Sequence, residues 1–522
     1  MAQQLLVIGA GTAGCAAALE AAKLGLGVTL VDEHPQSLQA ISLDAPYFYG
    51  ARLPAILEDT AAISERVLGA NEPLLECLEA GVEILTGTCS WASFRPGANS
   101  THLPAPQLGL ADGERSWMID YEHLILATGS RDLVLSFPGW HLPGVLGANG
   151  AAALIVRYQV LPGSRMVILG SNNLALRTAK LALDKGIAVA GIVETASRIR
   201  GDAMLAAELS AAGVPMLTGR TIERALGERE VQAAKLVAID AAGQPLPGSA
   251  EEIACDTVCM AFGAVPNVEL ASLTGCRIVF DAKRGGWVPA IDGDCRSSQP
   301  NVFTVGDGAG VSDAMHLEPA IAAEQGRRAA RAIAADAGIS IAPGEPLPVF
   351  NDDAMLPAAR EWLRTLVAAG GMDVMVCQCE EVSRRALLDV SPPTYLGAGN
   401  MKSNGGVAAL SPAARGSQDL LKRMTRAGMG HCQGKRCRDQ VLMLLAEATG
   451  TELGQLVPGS YRAPVRPLPL NVMWAGEETE AMRRTWPIWL HPVEEGAPGY
   501  ASARSMESAR VQDRREQDRG EG

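Results

Sequence analysis

The chain has 522 residues, of which 48% are hydrophobic and 20% charged, and its formal net charge at pH 7 is −13. This composition predicts a globular protein of about two to four domains of roughly 100–200 residues each. The negative charge argues against nucleic acid, or an anionic membrane surface, as the main binding partner. Eleven cysteines in so long a chain do not resemble a secreted disulfide framework. No signal peptide or transmembrane segment is recognisable, so we expect a cytoplasmic protein, soluble or peripheral at a membrane.

The first elements predict a βαβ unit that binds a dinucleotide. A strand, a glycine-rich turn, an alanine-rich helix, a second strand and an acidic pair occupy residues 5–8, 9–14, 15–24, 28–31 and 32–33. In such a unit the glycines permit a tight turn and close approach of a pyrophosphate, which the helix N-terminus binds. The turn positions expected to contact the cofactor are Gly9, Gly11, Thr12, Ala13 and Gly14. Asp32, or Glu33 beside it, is placed to accept hydrogen bonds from the ribose; the alternative is a ligand-free turn that merely packs closely.

A second βαβ unit has a degraded turn. Its strand, helix and second strand are predicted at residues 166–169, 174–184 and 187–193. Asn172 stands where the second glycine of the motif belongs. Asparagine tolerates a positive φ, but its side chain occupies space where a pyrophosphate needs bare backbone. Two interpretations stay open: a retained fold whose site is lost or repurposed, and a working nicotinamide site with Glu194 at the ribose.

Two later strands end in short motifs of small residues. The strand at 124–126 runs into Ala-Thr-Gly at 127–129, and the strand at 302–305 runs into Gly-Asp-Gly at 306–308. An alanine-rich helix then opens at Pro319. With the two βαβ units, this order of motifs resembles the flavin disulfide-reductase superfamily over residues 1–335.

The resemblance implies an FAD site. Thr128 and Gly129 would lie along the cofactor, and Gly306 and Asp307 would bind its ribityl chain. The helix at Pro319 would point its positive N-terminus at the pyrimidine edge of the flavin. No redox-active CxxxxC pair follows the first turn, which argues against a disulfide reductase.

Residues 137–145 and the carboxy-terminal third resemble more closely the α subunits of heteromeric flavin dehydrogenases: opine oxidase, D-hydroxyproline dehydrogenase and the cyanide-forming glycine dehydrogenase. The resemblance implies that a β flavoprotein subunit oxidises an amine or amino acid, and that electrons pass to FAD in this chain, then to a [2Fe–2S] cluster and a quinone or cytochrome. Of the Gly-Gly-Gln that follows the second strand in these relatives, only Gln39 is present here. FMN at a subunit interface, a nucleotide in the second domain and a small ferredoxin-like subunit stay open.

Four cysteines in two close pairs form a candidate metal site. Cys377 and Cys379 make a CxC motif, and Cys432 and Cys437 make a CxxxxC motif after 52 intervening residues. Four thiolates suit a [2Fe–2S] cluster or a structural zinc ion. The stretch resembles a bacterioferritin-associated-ferredoxin-like domain, whose most specific string is TRAGMG at 425–430. Residues 415–438 carry a net charge of +6, which would raise the potential of an anionic cluster, or which is simply a solvated helix face. The other seven cysteines are predicted to be core residues.

Together these features predict an α/β protein with two Rossmann-like dinucleotide-binding domains and a small helical [2Fe–2S] domain. The predicted parts are an FAD-binding domain, a degenerate nucleotide domain, a linker, the [2Fe–2S] domain and an extended tail, at residues 1–150 with 256–335, 151–255, 336–371, 372–455 and 456–522. No residue is assigned a catalytic acid–base role. The predicted function is an electron-transferring α subunit of an amine or amino-acid dehydrogenase. The alternatives are a self-sufficient NAD(P)H-dependent reductase and a non-redox assembly subunit that holds a nucleotide and zinc.

Overall fold

The computed structural model describes residues 4–35, 60–97, 103–159, 161, 163–341, 354–390, 406–468 and 470–473. Residues 1–472 form one compact unit, and of the second unit, 473–522, only Met473 is described. Gln39 lies outside the described residues. The 52 residues between the two cysteine motifs are described only in part, and so is the predicted tail.

The amino-terminal region contains the first predicted βαβ unit. Its elements are β1 (Gln4–Ile8), α1 (Thr12–Lys23), β2 (Gly27–Val31), α2 (Thr60–Gly69), α3 (Glu72–Glu79), β3 (Glu83–Leu85), β4 (Cys89–Phe94), β5 (Gln107–Ala111), β6 (Ser116–Asp120), β7 (His123–Leu126) and β8 (Ser130–Asp132). Strands β1, β2, β3 and β7 pair in parallel, and β4, β5 and β6 form a separate antiparallel sheet. β7 is buried along its whole length, as its apolar sequence predicts for a central strand.

The second βαβ unit follows. Its elements are β9 (Val145–Gly147), α4 (Ala148–Ala152), a π-helix (Ala153–Tyr158), β10 (Arg165–Leu169), α5 (Asn173–Asp184), β11 (Ala188–Glu194), α6 (Ala203–Ala211), β12 (Met216–Thr218), β13 (Arg220–Leu226), β14 (Ala233–Ala238), β15 (Glu251–Ala254) and β16 (Thr257–Met260). A parallel sheet has the order β12-β11-β10-β16-β9, and β13, β14 and β15 form an antiparallel sheet beside it. β9 and β16 belong to this sheet although the predicted boundaries at 150 and 255 assign their residues to the first domain. The boundaries themselves stay a prediction.

The chain then returns to the first sheet. The elements are β17 (Ala264–Pro266), α7 (Glu269–Leu273), β18 (Ile278–Asp281), a 3₁₀ turn (Ala282–Arg284), β19 (Gly286–Pro289), β20 (Val302–Thr304), two further 3₁₀ turns (Gly306–Ala309 and Asp313–His316) and α8 (Pro319–Asp336). β20 completes the order β20-β7-β1-β2-β3, while β17 pairs with β8 and β18 with β19. α8 packs on α1 so closely that a Cβ at Gly326 would overlap the backbone of Ala13. Small residues thus allow the close contact between these two helices.

The cysteine motifs lie in the last described region. Its elements are α9 (Met355–Gly370), β21 (Met375–Cys377), β22 (Val382–Ser383), α10 (Arg384–Leu388), a 3₁₀ turn (Gly406–Ala409), α11 (Pro412–Arg415), α12 (Gln418–Thr425), α13 (Arg438–Thr449), a 3₁₀ turn (Leu453–Gln455) and α14 (Leu470–Met473). One hydrophobic core includes Val167 of β10, Trp362 of α9 and Leu445 of α13. The cysteine region is therefore packed against the second sheet, and α9, inside the predicted linker, is part of that core.

Candidate functional site

A cavity of about 380 Å³ opens beside the first glycine-rich turn. It is lined by Gly9 and Gly11 of the turn, by Asp32 and Glu33 after β2, and by residues 127–131 after β7. The carboxyl ends of β1, β2 and β7 meet at this edge of the parallel sheet, where α/β proteins bind their ligands. The first predicted nucleotide site is thus an open cavity.

Three glycines shape the turn in different ways. Gly9 has φ +106°, and a Cβ there would overlap the carbonyl oxygen of Ala127. A Cβ at Gly14 would overlap the carbonyl of Gly9, so both positions serve close packing. No atom lies within 4 Å of the Cβ position of Gly11, which is the N-cap of α1 and lines the cavity. The N-terminus of α1 therefore borders this open space, although Thr12, Ala13 and Gly14 are not among the described residues that line the cavity.

The two acidic residues after β2 have different partners. Asp32 accepts hydrogen bonds from the backbone N–H of Ala10 at 2.5 Å and of His34 at 2.8 Å, so it stabilises the turn. Glu33 forms an ion pair with Arg466, from the far end of the chain. Each carboxylate oxygen can accept more than one hydrogen bond, so both residues keep capacity for a ribose hydroxyl.

The remaining predicted FAD residues divide into two groups. Thr128 and Gly129 line the cavity, and the Thr128 hydroxyl donates to the carbonyl oxygen of Asn267 at 2.7 Å. Asp307 lies outside the lining and accepts a hydrogen bond from the Ser130 hydroxyl at 2.7 Å. Neither Gly306, whose N–H donates to the buried Gln325, nor Pro319, exposed at the start of α8, is among the described lining residues.

Cations that were not predicted also reach the cavity. Arg131, Arg157, Lys435 and Arg466 all line it. Burial lowers the pKa of Lys435 to about 8, and the positive charge of the neighbouring Arg466 contributes to the shift. Lys435 lies between Cys432 and Cys437, so it brings the second cysteine motif to the nucleotide cavity. Its place between these two cysteines is the sequence signal that could have identified it as a functional residue.

Arg131 joins the first sheet to the cysteine region. Its guanidinium contacts Glu269 at 2.9 Å and Asp439 of α13 at 3.0 Å, and it donates to the Lys435 carbonyl oxygen at 3.1 Å. Burial by itself would lower the pKa of Arg131, but Glu269 and Asp439 hold it above its usual value. The network fixes α13, and the cysteine motif before it, beside the cavity.

The structure brings the four predicted metal-binding cysteines together as two pairs. The thiol of Cys377 contacts that of Cys437, and the thiol of Cys379 contacts that of Cys432. Each pair therefore takes one cysteine from each motif. Cys432 also interacts electrostatically with both members of the other pair. Among the described residues, no three or more His, Cys, Asp and Glu side chains are arranged to hold one metal ion.

Two glycines of the TRAGMG string make this pairing possible. Gly428 has φ +83°, and its N–H donates to the sulfur of Cys377 at 3.5 Å. A Cβ at Gly430 would overlap the Cβ of Cys379. The hydrogen bond from Cys379 and the N–H and charge of Arg436 lower the pKa of the Cys432 thiol. The same pairing raises the pKa of the partner thiols Cys379 and Cys437, so within each pair one thiol favours the thiolate and the other keeps its proton.

The second nucleotide site is filled by the chain itself. Glu194, at the position of a ribose-binding acid, is fully buried and accepts hydrogen bonds from Ser171 at 2.6 Å and Arg200 at 3.0 Å. The backbone N–H of Asn173, in the first turn of α5, donates to the carboxylate of Asp313 at 3.0 Å.

Asn172 and α9 close the same site. The Asn172 side chain accepts a hydrogen bond from the N–H of Ala175 at 3.0 Å and caps α5. Met355 and Trp362 of α9 help to line the cavity that remains, which has a volume of only about 60 Å³. Ligand cavities for drug-sized molecules usually measure about 300–1,000 Å³, so the space is too small for a nicotinamide dinucleotide.

The seven other cysteines agree with their predicted packing role in all but one case. Cys89 is half-buried, and the rest are buried at positions 15, 77, 255, 259, 276 and 295. None of the helices in the described ranges is both long and apolar enough to cross a membrane.

Family comparisons place the chain among flavin oxidoreductases. The pyridine nucleotide-disulphide oxidoreductase family matches residues 3–334, and the sarcosine oxidase A3 domain matches residues 412–477. An opine oxidase subunit of Agrobacterium tumefaciens (strain Ach5) is 24% identical, with 89% of this chain and 90% of the relative covered. Hydrogen cyanide synthase subunit HcnB of Pseudomonas aeruginosa is 28% identical, with coverages of 89% and 97%.

Two further comparisons complete the assignment. The alpha subunit of sarcosine oxidase from Rhizobium meliloti (strain 1021) is 25% identical over 90% of this chain, which spans 42% of that relative. The solved structure of L-proline dehydrogenase from P. horikoshii shares the fold, with a TM-score of 0.56, 18% identity, and 91% of this chain and 80% of that one covered. The predicted α/β fold and the resemblance to α subunits of heteromeric flavin dehydrogenases are confirmed. The chain belongs to the pyridine nucleotide-disulphide oxidoreductase family and is an FAD-dependent oxidoreductase.

Proposed function

We propose that this chain is the electron-transferring α subunit of a heteromeric dehydrogenase that acts on CH–NH donors of the opine or amino-acid class. A β flavoprotein subunit would oxidise the substrate, and a quinone or cytochrome would accept the electrons. FAD and a [2Fe–2S] cluster, when bound, would supply the redox chemistry. The observation that carries the proposal is the docking of the paired cysteines, through Lys435 and Arg131, against the nucleotide cavity.

The first cavity fits the phosphate-bearing half of FAD. Gly11 leaves open space in front of the first turn of α1, where the N–H groups and the helix dipole favour an anion. Asp32 and Glu33 line the same cavity and are proposed to accept hydrogen bonds from the ribose. Thr128 and Gly129 continue the lining, while Gly306, Asp307 and Pro319 are proposed for the ribityl and flavin end. Gln39 belongs to the same proposal.

The cysteine arrangement supports two irons over one zinc ion. A structural zinc site places all four ligands around a single point, whereas each iron of a [2Fe–2S] cluster takes two thiolates. We propose that each pair, Cys377–Cys437 and Cys379–Cys432, supplies the two thiolates of one iron. Lys435, which lies between two of these cysteines in the sequence, lines the first cavity.

The second domain argues against a self-sufficient NAD(P)H reductase. A nicotinamide dinucleotide would have to displace Asp313 from the N-terminus of α5 and Arg200 from Glu194. No open space comparable to the first cavity remains at that site in the described structure. Electrons would therefore enter through a partner protein.

One purification tests the proposal. We expect a complex isolated from its native source, which we propose to be cytoplasmic or peripheral at a membrane, to contain a β flavoprotein, FAD and iron. The same material shows whether FMN and a small ferredoxin-like subunit, both open alternatives, are present. Anaerobic NADH or NADPH should leave its flavin absorbance unchanged, whereas the amine substrate should bleach it. Bleaching by NAD(P)H, or zinc in place of iron, would contradict the proposal.

A further inference from the structure

Residues 456–466, which we call the strap, connect the cysteine region to the first cavity. The strap begins beside α12: the N–H of Val457 donates to the Gly416 carbonyl at 2.7 Å, and the N–H of Gln418 donates to the Val457 carbonyl at 3.0 Å. Two residues on, the N–H of Gly459 donates to the Gln418 side chain at 2.8 Å. The start of the strap is thus fixed by backbone hydrogen bonds.

The middle of the strap packs on the residue that follows Cys437. The Arg438 guanidinium lies over the ring of Tyr461, 3.6 Å from its centroid, and donates to the Gly459 carbonyl oxygen. Because Arg438 opens α13, the strap is held to the helix that the second cysteine motif precedes.

The end of the strap lies at the nucleotide cavity. Val465, only 5% exposed, donates its N–H to the Trp91 carbonyl at 2.8 Å, and its own carbonyl accepts from the Lys435 ammonium. Arg466 forms an ion pair with Glu33, and their side chains are 29% and 34% exposed. Lys435, Val465 and Arg466 all line the cavity.

The charge at this wall matters for a phosphate-bearing ligand. Asp32 and Glu33 are both acidic and lie near the space in front of α1. Without a neighbouring cation they would repel the phosphates of a bound nucleotide. The strap supplies Arg466, which neutralises Glu33, and it holds Lys435 with its ammonium towards the same cavity.

We propose that the strap is part of the nucleotide site. Arg466 and Lys435 bind the adenosine diphosphate group or neutralise the acidic residues around it. A nucleotide in the cavity then holds the second cysteine motif against the first sheet. The inference rests on the proposed function only for the nucleotide in the first cavity. The two effects are linked: strap contacts that strengthen nucleotide binding are themselves stabilised by the bound nucleotide.

Binding of ADP to the full chain tests the proposal without any redox activity. Isothermal titration should show about tenfold weaker binding for Arg466→Ala, with a smaller dependence on salt concentration. Arg462→Ala is the matched control, because Arg462 lies in the same strap but is exposed and outside the described cavity lining. Equal affinities for the two variants would overturn the inference. Lys435→Met should also weaken ADP binding, and Arg466→Ala keeps the test valid if that variant does not fold.

Proteolysis gives a second readout. Trypsin can cleave after Arg462, and ADP should slow cleavage of the Arg462–Ala463 bond several-fold in the wild type. The rate is measured by mass spectrometry of the peptide that ends at Arg462. The protection should be lost in Arg466→Ala. Cleavage that ADP does not slow would overturn the inference, whereas a complex that lacks flavin and iron would overturn the proposed function alone.

Discussion

Replacing Arg131 by methionine should separate the cysteine region from the first sheet. Arg131 is 14% exposed and faces two carboxylates, Glu269 at 9% and Asp439 at 21% exposure. Removing one partner of a buried ion pair costs about 3–5 kcal/mol, because the other charge is left buried. Since Asp439 retains contact with water, we expect a loss near the lower end, about 3 kcal/mol of unfolding free energy.

A double-mutant cycle identifies the cause of that loss. Glu269→Gln alone should cost about 1 kcal/mol, because Asp439 still neutralises Arg131. The double variant no longer has the stranded carboxylate of Glu269. Its loss of unfolding free energy should therefore be at least about 1 kcal/mol smaller than the sum of the losses in the two single variants. Arg364→Met is a matched control: Arg364 contacts Glu447 at 2.8 Å but is 57% exposed, so its loss should cost under about 1 kcal/mol.

The same variant has a defined pH dependence. Burial favours the protonated form of Glu269, but Arg131 holds its pKa below the usual value. Without Arg131 that pKa should rise, so the variant should lose stability relative to the wild type as pH increases through the raised pKa.

The assay is denaturant unfolding at several pH values, with hydrogen exchange of α13 as a local readout. Faster exchange across α13 is expected in Arg131→Met and not in Arg364→Met. Equal stabilities for the two variants, or additive costs in the cycle, would refute the account of Arg131.

Three further predictions use single substitutions. Gly11→Ala should fold like the wild type but bind ADP at least about tenfold more weakly, since its Cβ points into open cavity, whereas Gly14→Ala should lose about 3 kcal/mol or more because its Cβ would overlap a backbone carbonyl; calorimetry and thermal unfolding check both. Burial raises the pKa of Asp132 to about 6, so its contribution to stability is present below pH 4 and falls as pH rises through 6. Denaturant unfolding at several pH values should show this fall in the wild type, and it should be absent from Asp132→Asn. Asp313→Ala should lose about 1 kcal/mol by uncovering the N-terminus of α5, and added phosphate should raise its melting temperature more than that of the wild type.

Features coded by neighbouring residues could be predicted from the sequence. The turn at 9–14, the strands on either side of it and the helix that opens at Pro319 depend on contacts within a few residues, and the structure places them where the pattern predicts. The cysteine motifs could also be predicted, because each consists of two residues at short spacing. That the pairs would form between motifs was beyond the sequence, since it depends on Gly428 and Gly430 admitting a close approach.

Features that depend on distant contacts could not be predicted. Arg131 and Lys435 are 304 residues apart, and Asn173 and Asp313 are 140 residues apart, so no local pattern reports either contact. The sequence predicts a linker at residues 336–371. The structure has a helix there, Met355–Gly370, whose Trp362 is buried against the second sheet, because apolar residues at helical spacing find a tertiary partner there.

The most direct test of the electron-transfer account is the metal content of the anaerobically purified complex. We expect about two iron atoms and two acid-labile sulfides per α chain, together with FAD. Cys437→Ser should lose the iron and keep the flavin, whereas Cys259→Ser, which changes a buried cysteine of the second sheet, should keep both. Zinc in place of iron in the wild type, or full iron content in Cys437→Ser, would contradict the account.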